Sequence, residues 1–187
     1  MTHHEPIRTL YSRSHGTIYP GLGVFLAGPT GPDDEMLQGW RRTLIARLVA
    51  DERLDPMMTV VAPEPESGRW ADIVAATGKP KLDQAANGQI AWEWQYLGLC
   101  DVTVFWLATY WDGNIGPTTR WEFGYYLQEY LKNRSRRTFL IGAPADAESV
   151  KWPRRMIAAH GLPWHTSLES LGDAVAETLL RNRALAG

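Results

Sequence analysis

Cysteine is almost absent from this chain: its 187 residues hold one, Cys100. That excludes an internal disulfide framework and any zinc cluster built on thiolates, and suits a reducing cytosol. Cys100 reads as a small buried hydrophobe ahead of a strand. Long apolar runs are missing too. No stretch approaches the ~18 uncharged apolar residues of a membrane span, and the N-terminus lacks the charged-then-apolar layout of a secretory signal. An excess of one charge is also lacking. Lys and Arg number 19 against 21 Asp and Glu, a net charge of −2, so nothing drives the chain generally toward nucleic acid or an anionic membrane. His3-His4 stands without a ligand partner, and His160 and His165 flank a Pro-containing turn without a triad partner, so both read as surface or interface groups. No metal is expected, and no repeat or low-complexity tract appears. The expectation is a soluble, cytoplasmic protein with an N-terminal arm over 1–20 and one domain over 21–187.

What the chain does have is tryptophan, nine in all. Large aromatics serve cores, interfaces and base-stacking sites alike, and the count does not choose among them. It also has strands alternating with helices. Gly23–Ala27, Met58–Ala62, Asp101–Ala108 and Thr138–Gly142 read as strands, with Leu162–His165 as a fifth. The first helix carries Met36, Leu37, Trp40, Leu44, Ile45 and Leu48 at helical spacing, with Arg41, Arg42 and Arg47 between them. Asn87–Leu99 reads as a helix with Ile90, Trp94 and Leu97 inward; helices over 118–132 and Leu168–Ala184 follow. Residues 64–85 form a polar stretch too long for a simple connection, as a functional cover would be. This alternation predicts an α/β fold: a flavodoxin-like, doubly wound, five-stranded parallel sheet in the order 2-1-3-4-5, with helices on both faces.

The most informative run extends from Asp101 to Tyr126. A strand buried on both faces leads to a loop of turn formers, Asp112-Gly113-Asn114 and Gly116-Pro117, then to Thr118-Thr-Arg-Trp-Glu-Phe-Gly124. With Thr118 or Thr119 as the cap, Glu122 falls in the first helical turn, beside free N–H groups and the positive end of the dipole. That environment is expected to keep Glu122 ionised at neutral pH. With strands one and three adjacent, the loop Gly28-Pro29-Thr30-Gly31 faces this helix start across one crevice. It lacks the lysine of a P-loop and the dinucleotide spacing of glycines, and reads as a place where a substrate approaches backbone. Glu93, eight residues ahead of Asp101, reaches toward the same cleft. Two carboxylates in one pocket suit glycosyl chemistry, one attacking the anomeric carbon and the other managing the leaving-group proton.

Three pieces in this order, Val24-Phe-Leu-Ala-Gly-Pro29, Trp92-Glu93 leading to Asp101, and Thr118 to Gly124, make the chain similar to nucleoside 2-deoxyribosyltransferases and related N-glycoside hydrolases. The resemblance spans about residues 22–142. It implies Glu122 as the nucleophile and Glu93 as an acid contacting or protonating the base. Phe25 stands where many members have a Tyr that orients the nucleophile, which leaves that task to other donors. Asp112 matches the loop acid that touches the sugar hydroxyl. Gly28, Pro29, Thr30, Asp101, Thr119 and Arg120 complete the substrate-binding set, with tying the strand start as the alternative role of Asp101. Arg120 and the Arg41-Arg42 pair are the basic groups available to a 5′-phosphate. Phe25, Trp92, Trp106 and Trp111 are candidates for stacking on a nucleobase. The implied partner is a small-molecule nucleoside or nucleotide, with no metal or organic cofactor, in a homo-oligomer with shared sites. Two other readings use the same residues: a non-catalytic sensor binding a nucleotide or ADP-ribose-type ligand, and an assembly scaffold in which the tryptophans serve contacts.

Overall fold

The computed structural model describes residues 6–30, 39–78, 88–109, 117–134 and 137–186. Five strands, β1 (Arg8–Tyr11), β2 (Gly23–Ala27), β3 (Thr59–Ala62), β4 (Val102–Trp106) and β5 (Thr138–Gly142), form one sheet. The order is β1-β3-β2-β4-β5 and every pairing is parallel. Among the described residues six helices accompany them: α1 (Trp40–Val49), α2 (Trp70–Thr77), α3 (Gln89–Leu99), α4 (Pro117–Lys132), α5 (Lys151–Ala159) and α6 (Leu168–Ala186). This is the expected flavodoxin-like α/β class.

Side-chain alternation along the strands divides the core in two. Val24, Leu26, Val60, Val104 and Trp106 point to one face, where Leu44 and Leu48 of α1 and Leu171, Val175 and Leu179 of α6 cover them. Phe25, Val61, Phe105, Phe139 and Ile141 point to the other, beneath Trp92 and Tyr96 of α3, Phe123 and Leu127 of α4 and Ile157 of α5. Both faces are dry, which is why the strands read as continuous apolar runs.

The strand order differs from the expected one at both edges. The four strands β3-β2-β4-β5 stand in the expected arrangement, but Leu162–His165 contributes only an isolated bridge from His165 to Gly142. Pro163 has no N–H to extend a ladder there. The fifth strand comes instead from the N-terminal segment: Ile7 and Leu10 are buried, and β1 pairs with the free side of β3 in the register Arg8↔Thr59. Residues 64–85 are not all connection either. Trp70 buries its ring at the start of α2, and Gly78 ends that helix in the left-handed conformation (φ 64°) that glycine adopts without strain. His165, expected at the surface, is buried, and its Nδ1 lies 2.8 Å from Ser170 Oγ.

Candidate active site

The carboxyl ends of β2 and β3 deliver Gly28-Pro29-Thr30 and Pro63-Glu64, and α1 sends Arg41 beneath both. Arg41 is 2 % exposed. Its Nε donates to Leu26 O (3.0 Å), Nη2 to Gly28 O (2.6 Å), and Nη1 to Pro29 O and Thr30 Oγ1 (both 3.4 Å). Nη1 also lies 3.6 Å from Glu64 Oε2, while the other Glu64 oxygen pairs with Arg42 Nε at 2.7 Å. Arg41, read as lying between the apolar positions of α1, is thus itself part of the buried stripe of that helix. At Gly28 a Cβ would stand 2.6 Å from both Trp106 O and the Trp40 ring, so close approach of β4 and α1 requires glycine.

Glu122 lies on α4, which begins at Pro117. Proline suits that first position because its missing N–H is one the helix leaves unpaired anyway. Glu122 thus stands in the second turn, beyond the free N–H groups, and dipole stabilisation falls off there. Burial dominates instead, and with Glu93 nearby it pushes the Glu122 carboxyl up from 4.5 to about 7, against the pull of Arg41. The expectation of a fully ionised Glu122 is corrected on this ground: near neutral pH the group is divided between its two forms. Glu93, half-buried on α3, accepts a 2.7 Å hydrogen bond from Gln89 Nε2, which fixes its orientation.

Glu122 also borders a hollow of about 440 Å³ between α3 and α4, within the ~300–1,000 Å³ usual for small-molecule sites. Trp94 and Gly98 form one wall, Trp121, Tyr125 and Tyr126 the other, with Glu129 and Arg137 also on its border. Trp94 is 74 % exposed, Trp121 84 % and Tyr125 63 %. Arg137, expected in a solvated turn, donates to Leu97 O and Gly98 O, both at 3.3 Å.

The expected stacking rings lie elsewhere. Phe25 and Trp92 are buried against each other, centroids 6.5 Å apart, and Trp92 Nε1 donates to Ser14 O at 2.6 Å. Trp106 is buried on the opposite face of the sheet. Their faces are occupied by protein, so exposed stacking surface is offered by Trp94 and Trp121 instead. The reading of Trp94 as an inward residue of α3 is reversed. Asp101 accepts a hydrogen bond from Gly21 N (2.5 Å) at the amino end of β4, away from the crevice, and serves to tie the strand start. Thr119 is buried in the first turn of α4, and Arg120 Nη1 donates to Ser149 Oγ at 3.2 Å, toward α5. Asp112 and Trp111 lie outside the described residues. The structure therefore gathers Gly28, Pro29 and Thr30 around Arg41, and places Glu122 within the electrostatic reach of Glu93 and Arg41. Sequence reasoning missed Arg41 and Glu64 as a pair. One signal was present: Arg41 falls on the 41-44-45-48 stripe that buries α1.

Among the described residues no cluster of three or more His, Cys, Asp or Glu is arranged to hold a metal, and no helix is long and apolar enough to cross a membrane. No curated protein sequence matches the chain. A family model does, described as nucleoside 2-deoxyribosyltransferase like, over residues 21–134, a span that includes β2, the Gly28 loop, α3, β4 and α4. With more than half its length so matched, and with a parallel sheet presenting two carboxylates and a glycine loop at its carboxyl edge, this chain belongs to the nucleoside 2-deoxyribosyltransferase-like family.

Proposed function

We propose that this protein cleaves or exchanges the N-glycosidic bond of a nucleoside or nucleotide, ribosyl or deoxyribosyl, through a covalent glycosyl-Glu122 intermediate. The observation that carries the reading is the pairing of Glu122 with a hollow of nucleoside size: the carboxyl is half withdrawn from water, has Glu93 as its acidic neighbour, and lines a space walled by aromatic rings. In the first step a Glu122 oxygen attacks C1′ and the C1′–N bond breaks, its electron pair leaving with the base. Glu93, held by Gln89, is the group that meets the departing nitrogen and its proton. In the second step a nitrogen of an acceptor base, or water, attacks C1′ and frees the carboxylate. Phe25 brings no hydroxyl to orient Glu122, and a family member built this way suits hydrolysis at least as well as transfer. Gly28, Pro29 and Thr30, gathered around Arg41, are assigned to substrate contact beyond the α3–α4 hollow, which they do not border, together with Thr119 and Arg120 at the start of α4; Asp112 keeps the role that the resemblance implies for it.

The exposed rings of Trp94, Trp121 and Tyr125 also support a homo-oligomer. Aromatic surface of this kind, continuous with the border of a site, is what a neighbouring subunit covers.

The test is base release from a panel of nucleosides and their 5′-monophosphates, with and without a second base. Glu122→Ala is expected to abolish release while leaving ligand-induced thermal stabilisation in place. Equal loss of both would favour a binding protein over an enzyme.

A further inference from the structure

Resting on that reading, we propose that Arg41 is the positioning residue of the site: one guanidinium shapes the Gly28–Thr30 wall and supplies the fixed positive charge to the carboxylates gathered around it. An arginine on an amphipathic helix ordinarily sends its head group to water. This one is 2 % exposed and has every nitrogen engaged. A buried cation persists only when hydrogen-bonded and paired. The planar fork gathers the carbonyls of Leu26, Gly28 and Pro29, and the adjacent Trp40 adds a second bond to Pro29 O through Nε1 at 3.1 Å. An ammonium is a point charge and cannot hold several carbonyls in this geometry.

Glu64 does not fully quench this charge. Its close partner is Arg42 at 2.7 Å, and Arg41 stands farther off at 3.6 Å. Burial works against the charged guanidinium, and Glu64 first, then Glu93 and Glu122, favour it. Around Glu122 the charges therefore oppose one another: Glu93 on α3 resists its ionisation and Arg41 on α1 favours it. Tyr125 and Tyr126 on α4, with Glu129 and Arg137, are the other titratable or charged groups bordering the same hollow.

The experiment is an NMR pH titration of the full chain carrying glutamate labelled with ¹³C at the side-chain carboxyl, with Glu122 assigned by loss of its resonance in Glu122→Gln. Arg41→Gln is expected to raise the Glu122 midpoint by about one unit, roughly tenfold less carboxylate at a given pH below it. Arg41→Lys restores the charge and returns the midpoint toward that of the parent, but leaves the amide resonances of Gly28 and Thr30 displaced because the fork is gone. Glu64→Gln removes the negative partner of Arg41 and Arg42, leaves more of the Arg41 charge to act on Glu122, and lowers the midpoint. A parental midpoint in folded Arg41→Gln overturns the proposal, as does Arg41→Lys matching Arg41→Gln, or unmoved loop amides in Arg41→Lys. If Arg41→Gln does not fold, Glu64→Gln decides: an unchanged or raised midpoint is the contrary result. The titration reads ionisation and needs no turnover. Absence of base release alongside the expected shifts would sink the glycosidic reading and leave the role of Arg41 standing.

Discussion

At the scale of the residue, burial governs Glu122: it raises the carboxyl, Glu93 adds to it, and Arg41 pulls the other way without prevailing. A nucleophile must be ionised, so its activity follows the deprotonated fraction. Base release is expected to climb about tenfold per pH unit below about 7 and to level off above it. A rate that falls through the same range would assign Glu122 the work of an acid instead. Stability has the opposite dependence. The folded state holds this proton more tightly than the unfolded chain, so ionising Glu122 destabilises the fold as pH rises from about 4.5 to about 7. Glu122→Gln removes that cost. Denaturant titrations are expected to show it more stable than the parent by about 3 kcal/mol at pH 8 and little different at pH 4. The nearness of Glu93 to Glu122 and the close approach at Gly28 were legible because residue type, spacing and turn chemistry mark them. The ionisation of Glu122 was not, because the helix begins one or two residues earlier than Thr118 or Thr119 and the burial that dominates the carboxyl is a tertiary property that local spacing does not report. Arg41 was hidden because a guanidinium between apolar positions looks the same whether it leaves for water or turns inward to carbonyls.

At the scale of the element, two close approaches hold the sheet's carboxyl edge. Gly28→Ala would drive a Cβ to 2.6 Å from Trp106 O, and Gly142→Ala to 2.2 Å from His165 O. In both cases an atom met is backbone, which gives way poorly, so each substitution is expected to cost roughly 1–3 kcal/mol or more in thermal or chemical unfolding. An Ala tolerated at either position would show that the strands stand farther apart than described. The phase of α3 illustrates what periodicity leaves open. Trp92 and Trp94 flank Glu93, and apolar spacing alone suits either ring for the interior. Trp92 turns inward because its Nε1 finds Ser14 O, and Tyr96 follows because its hydroxyl accepts from Gly16 N at 2.9 Å. Those partners lie some eighty residues away in the N-terminal segment, beyond the reach of any local pattern.

At the scale of the molecule, the α/β class and the run β3-β2-β4-β5 were legible from the alternation of apolar runs with amphipathic helices. The fifth strand was not. An edge strand is short and paired on one side only, so β1 carries little apolar signal, whereas Leu162–His165 carries the signal and lacks the donor at Pro163. The exposed rings of α3 and α4 belong to this scale as well. If the proposed homo-oligomer forms through this face, Trp94→Ala combined with Trp121→Ala is expected to change the stability of the fold little, since both side chains are largely in water, but to shift sedimentation toward the monomer. A parental mass distribution in the double variant would remove this face from the interface. The account as a whole rests on a bond between the carboxylate of Glu122 and a sugar carbon. The most direct test is to incubate the protein with a 2-fluorinated nucleoside that forms the glycosyl enzyme faster than it is released, then to digest it and weigh the peptides. The expected result is one glycosyl group on the peptide containing Glu122, absent from Glu122→Gln; base release with that peptide unmodified, or with Glu122→Gln still active, would contradict it.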